Sequence, residues 1–173
     1  MTRVILNNAV RFIILILIQV LILNNIRIQG FLIPQLYLLF ILLLPFETPK
    51  WALLVASFVI GLMVDMFSYT IGLHAAACTL IAFARPLFIR MIASRPQYEP
   101  GIQPGIYGLG FRWFLTYTLL MVSVHHLVVY FLEEFRWADF LTVLYRTAIN
   151  VVITSMVIIF TQLLISRQRT RSS

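Results

Sequence analysis

Of the 173 residues, 61% are hydrophobic and 11% charged, against about 45–50% apolar residues in ordinary soluble domains. That composition excludes a water-soluble domain and implies an integral membrane protein. The thirteen basic residues exceed the six acidic ones, but they gather at the ends of apolar runs, which reads as positive-inside anchoring and not as a nucleic-acid surface. The single cysteine, Cys78, excludes an internal disulfide and any cysteine-based zinc or iron–sulfur site.

Six apolar runs predict an all-α bundle of about six transmembrane helices in one domain over residues 1–173, with spans near 9–23, 31–46, 51–69, 73–92, 111–132 and 138–165. The first is entered through Arg3 and Arg11 and left through Asn24, Asn25 and Arg27. No small-residue cleavage site follows it, so it reads as an uncleaved signal anchor. Arg11 is expected to snorkel to the interface, and Gln19 to hydrogen-bond between helices.

The second run, Phe31 to Phe46, carries Pro34 near its start and is bounded by Pro45 and Pro49. Its sixteen residues cover only about 24 Å as helix, so it is expected to be a short span, aided by flanking residues or a thinned bilayer. The third run begins at Trp51, and some three residues separate it from the fourth, so these two spans form an antiparallel hairpin.

Asp65 is the costly residue of that hairpin. About 14 residues from Trp51, it lies roughly 21 Å along a helix, toward the far side of the hydrocarbon layer, where an acid has to face protein, water or a partner. Ser57, Gly61 and Asp65 recur at intervals of four and share a stripe, and Ala52 and Ala56 form a second small-residue pair of the same spacing. After the turn at Gly72, an alanine-rich helix start offers a smooth partner, with His74 near the depth of Asp65. Asp65 either ties two helices together or meets a partner or ligand on the Ser57–Gly61 stripe. In the first case an amide at 65 is expected to be mild and a leucine at 61 harsh.

Arg85-Pro86 leaves the end of the fourth span open: it crosses fully and snorkels Arg90, or it stops near Arg85 and continues as an interfacial helix. Ser94 to Gly110 is rich in proline and glycine and reads as the one sizeable loop. The fifth span carries His125 and His126, adjacent residues that point about 100° apart on a helix and so do not readily share a metal. In the sixth, Arg146, Asn150 and Thr154 form a polar stripe from which Arg146 is expected to meet Asp65 or the Glu133/Glu134 pair, or simply to snorkel.

With six spans, Arg3, Arg11, Lys50, Arg85, Arg90, Arg95, Arg112 and three C-terminal arginines fall on one side, and Arg27 and Arg136 on the other. This asymmetry assigns both termini to the cytoplasm. The basic loop and C-terminus serve topology, or additionally meet a cytoplasmic partner or anionic lipid. No hydrolase, metalloprotease or nucleotide motif occurs, and no internal repeat marks a secondary transporter. No catalytic residue, metal or cofactor is expected.

The size, the approximately six spans and the hairpin with Gly61, Leu62 and Asp65 before Gly72 and an alanine-rich helix start resemble the bacterial rod shape-determining protein MreD family. The resemblance covers essentially the whole chain, through a loose motif. It implies a non-enzymatic, multi-pass inner-membrane subunit of the cell-elongation machinery, acting with the bitopic MreC, the actin-like MreB, the glycosyltransferase RodA and a class B penicillin-binding protein. The layout is also similar to the vitamin-binding S components of energy-coupling-factor transporters. Ala52 and Ala56 fit their docking spacing, whereas short outer loops disfavour that reading.

The six-pass topology has a direct check. Reporters fused after Ser173 and inserted within Gln97–Gln103 are expected to report cytoplasm, and one at Arg136 the outside. An external signal from the C-terminal fusion would overturn the arrangement.

Overall fold

The computed structural model describes residues 2–26, 32–92, 103–134 and 140–171. They form seven α-helices: α1 Thr2–Leu21, α2 Leu38–Leu42, α3 Lys50–Ser68, α4 Leu73–Ile92, α5 Ile106–Leu109, α6 Phe111–Glu134 and α7 Phe140–Arg171. Among the described residues there is no strand, and five helices are long and apolar enough to span a membrane. The protein is an all-α, multi-pass membrane bundle. Residues 27–31, 93–102 and 135–139, which include Arg27, most of the expected loop, Arg95 and Arg136, lie outside the described residues, as do the side chains of Arg3, Arg167, Arg169 and Arg171.

The second apolar run departs from the expected span. Only five of its residues, Leu38–Leu42, are α-helical, and residues 33–35 carry no helix. The run nevertheless passes through the bundle. Gln19 of α1 bonds to Pro34, whereas Arg11, two turns earlier in α1, bonds to Leu43, so the run travels antiparallel to α1. It travels parallel to α4, since Tyr37 packs near His74 and Leu44 near Arg85. Extended residues rise about 3.3 Å each against 1.5 Å in a helix, which lets a short segment cover depth that a helix of the same length would not reach. Pro34 favours this local unwinding, because it has no N–H and disfavours helical geometry in the residue before it.

This crossing segment is the centre of the core. Every residue from Leu36 to Leu44 is buried, with Tyr37, Ile41 and Leu42 fully so, and Phe12, Phe114, Met121 and Ile158 belong to the same apolar cluster. A helix hydrophobic on all sides is stable only when surrounded, and α1, α4 and α6 pack against α2.

Non-helical backbone at membrane depth has to be satisfied by protein, since lipid offers no hydrogen bonds. Here the polar residues of the long helices meet that need. Gln19 Nε2 donates to the Pro34 carbonyl at 3.1 Å and Gln19 Oε1 accepts from the Tyr37 N–H at 3.4 Å. From α7, Asn150 Oδ1 accepts from Ile33 N–H at 3.3 Å and Thr154 Oγ1 from Gln35 N–H at 3.2 Å. At the other end Arg11 Nη1 donates to the Leu43 carbonyl at 3.2 Å, and Arg85 donates to the Leu44 carbonyl and, through Nε, to the Tyr117 hydroxyl at 2.8 Å. Arg11 thus turns toward the crossing segment instead of snorkelling away from it. α4 runs unbroken through Pro86 to Ile92 with Arg90 exposed, so the helix does not stop near Arg85, and it is long and apolar enough to span a membrane.

The order of passes places Thr2, Lys50, Ile92, Phe111 and Arg171 at one end of the bundle, and Asn24, Ser68, Leu73, Glu134 and Phe140 at the other. Replacing Gln19 by Leu removes the partners of Pro34 C=O and Tyr37 N–H in one step. At about 1–3 kcal/mol for each orphaned group, Gln19→Leu is expected to lower the unfolding temperature of the detergent-solubilised protein far more than Leu17→Ala on the exposed side of α1.

Candidate functional site

The α3–α4 hairpin is closed by a carboxylate placed over the start of a helix. The first N–H groups of α4 have no partner within their own helix. Asp65, from the last turn of α3, supplies one: its Oδ1 accepts from His74 N–H at 3.1 Å and its Oδ2 from Ala75 N–H at 2.9 Å. Oδ1 also accepts from the Thr70 hydroxyl at 2.5 Å and lies 3.0 Å from His74 Nδ1. An anion at a helix N-terminus is favoured by the macrodipole as well, so the acid is accommodated although only 2% exposed. The expected Asp65–His74 contact is present, and four donors converge on the carboxylate.

Gly61 permits the approach on which this capping depends. A Cβ there would stand 2.5 Å from Ala75 Cα and 2.6 Å from the His74 carbonyl oxygen, and these backbone atoms cannot yield as a flexible side-chain tip would. Gly72 closes the turn at φ +74°, and Tyr69 ends α3 in the left-handed region at φ 57°. Ser57 is fully buried and Ala56 packs at the edge of the main core, while Ala52 is half-buried. The Ser57–Gly61–Asp65 stripe is therefore consumed within the chain: Gly61 and Asp65 face α4, leaving no open surface there for another protein.

What remains open lies beside the hairpin. A cavity of about 430 Å³ sits at the end of the bundle opposite Thr2 and Arg171, walled by Gln19, Asn24, Tyr37, Thr70, His74, Tyr130, Glu133 and Arg146 among others. Arg146 Nη1 donates to Glu134 Oε1 at 2.8 Å, so of its expected acidic partners it takes Glu134 and not Asp65. Asn150, one turn deeper, donates to the Arg146 carbonyl while holding Ile33.

Below the cavity a polar seam enters the core. Tyr37 donates its hydroxyl proton to Gln35 Oε1 at 3.1 Å, so His125 Nε2, 3.0 Å from the same oxygen, is the donor of that second bond. His126 Nε2 lies 3.0 Å from Thr154 Oγ1. The two adjacent histidines thus turn to different partners, as their 100° separation requires. Sequence reasoning did not single out Tyr37, Gln35 or Thr70. Their signal is weak, since each is a common residue type and only the fold joins them.

Thr70, His74 and Asp65 contain the residue types of a nucleophile, base and acid, but not their geometry. In such a triad the imidazole bridges hydroxyl and carboxylate through its two nitrogens. Here Thr70 Oγ1 and Asp65 Oδ1 both meet His74 Nδ1, and the hydroxyl donates directly to the carboxylate. The arrangement is a turn lock. No protein-family model, no curated protein and no solved structure matches this chain.

Both lock residues are sensitive to minimal change. Gly61→Ala already forces α3 and α4 apart and is expected to cost on the order of 1–3 kcal/mol. Asp65→Asn exchanges one acceptor oxygen for an N–H donor facing other donors and is expected to cost about 1–3 kcal/mol. A structural role thus does not make the amide mild. Thermal unfolding of the two purified variants checks both, and a wild-type midpoint for Asp65→Asn would show that the capping contacts are dispensable.

Proposed function

We propose that the protein is a non-enzymatic subunit of the bacterial cell-elongation complex, located in the inner membrane with both termini cytoplasmic. In this reading it helps organise side-wall peptidoglycan synthesis with MreC, MreB, RodA and a class B penicillin-binding protein. The residue pattern that resembles the MreD family supports this, and its Gly61, Asp65 and Gly72 have a joint physical purpose in the hairpin lock. The single observation that carries the reading furthest is the polar cavity at the outer end. It is a recess rich in amides, hydroxyls and tyrosines, suited to hold a membrane-proximal segment of a bitopic partner such as MreC.

The same cavity favours a second reading, a small-molecule binder of the S-component type. Its volume of about 430 Å³ falls within the roughly 300–1,000 Å³ of small-ligand sites. A gene position beside those for MreB and MreC supports the first reading, and one beside vitamin biosynthesis the second.

Tyr69, 96% exposed, and Glu133, also exposed, line the cavity without belonging to the lock. Tyr69→Asn keeps a residue that tolerates left-handed backbone, and paired with Glu133→Gln it alters the rim chemistry with little effect on folding. The double variant is expected to accumulate normally while MreC recovery falls several-fold on co-purification and rod-shaped cells round up. Unchanged MreC recovery and shape, with a polar vitamin raising the unfolding temperature of the wild type, would transfer support to the second reading.

A further inference from the structure

A second cavity, of about 410 Å³, opens at the other end of the bundle, between α1, the crossing segment and the C-terminal half of α7. Its two parts differ in chemistry. Ile14, Ile18 and Leu39 are among the residues that make one part of its wall apolar, while Asn7, Asn8, Arg11 and Gln103 supply polar groups. Arg11 is the one charged side chain among the described lining residues. From Arg11 to Ile18 the crevice follows α1 for about 10 Å.

We propose that this crevice binds one anionic phospholipid from the leaflet at the basic end, with its phosphate at Arg11 and an acyl chain along the apolar wall. Water filling the apolar part would lie against hydrocarbon with few polar partners, which is unfavourable, whereas a chain from the surrounding bilayer matches it. At the mouth, Arg11 is held in place through Nη1, which donates to Asn8 Oδ1 and to the Leu43 carbonyl, each at 3.2 Å. A fixed guanidinium is a planar fork suited to phosphate oxygens, and the neighbouring amides add donors. Arg90 and Arg112, both exposed at this end of the bundle, raise the local concentration of anionic lipid there.

The site also accounts for the position of Arg11. The arginine binds the carbonyl of Leu43 where the crossing segment approaches its end, so a lipid phosphate would meet a guanidinium that the fold holds inside the span beginning at Leu6. The proposal is independent of the function proposed above, because it concerns the opposite end of the bundle.

The test uses full-length protein, delipidated in mild detergent and offered phosphatidylglycerol or phosphatidylcholine in mixed micelles, with retained lipid counted by native mass spectrometry. About one phosphatidylglycerol per chain is expected, retained in clear preference to phosphatidylcholine. Arg11→Gln is expected to reduce retention about tenfold, the loss of one charge-assisted contact, and Arg11→Lys to restore most of it. Should Arg11→Gln fail to fold, Ile14→Trp decides: it fills the crevice from the half-exposed side of α1 and is expected to abolish retention with Arg11 intact. Equal retention of the two lipids, undiminished retention in Ile14→Trp, or displacement of the lipid by millimolar inorganic phosphate alone would overturn the proposal.

Discussion

The structure depends on keeping a non-helical piece of backbone hydrogen-bonded at the centre of a membrane bundle. Peptide groups at membrane depth have no water to turn to, and each one left unsatisfied costs several kcal/mol. The crossing segment enters at Ile33 without helical bonds and meets side chains instead: Gln19 from one helix, Asn150 and Thr154 from another. Near its other end, Arg11 and Arg85 take the carbonyls of Leu43 and Leu44. Five polar residues that look expensive in separate spans thus serve one short element. Remove that element and all five become liabilities.

The hairpin solves a related problem by a different route. α4 starts inside the bundle, where its first N–H groups need partners, and the turn before it holds Gly72 at positive φ and offers no local side-chain cap. Asp65 of α3 caps α4 from outside, at a distance that exists only because Gly61 lets α3 lie against the backbone of Ala75. Charge, small residue and turn glycine form one device. Because the device is occupied within the chain, the surface it leaves open beside it is the cavity that His74 and Thr70 border.

Much of this was legible one residue at a time. An acid, a glutamine and an arginine inside apolar runs are each conspicuous because lipid penalises them, and the Asp65–His74 and Arg146–Glu134 pairings lay within the expectations drawn from spacing. Reading each residue singly misses direction. Arg11 was expected to reach outward to the interface, and it reaches inward to Leu43, because a carbonyl without a full helical partner set is a better acceptor site than the sequence discloses. The cavity was not legible at all, since it is lined from all six apolar runs by residues more than a hundred positions apart.

The sequence by itself determined the solvent and the class, because hydrophobic composition and run length act locally and leave a helical bundle as the low-cost solution in lipid. It also marked the α3–α4 hairpin, whose parts are neighbours in the chain. Only the tertiary structure decided that the second run crosses with five helical residues instead of a full span. Phe31 to Phe46 is apolar enough for a helix, and nothing local says that three other helices will supply its backbone partners. Hydrogen-bond satisfaction in a membrane belongs to the whole assembly of passes, and so do the spaces that remain between them.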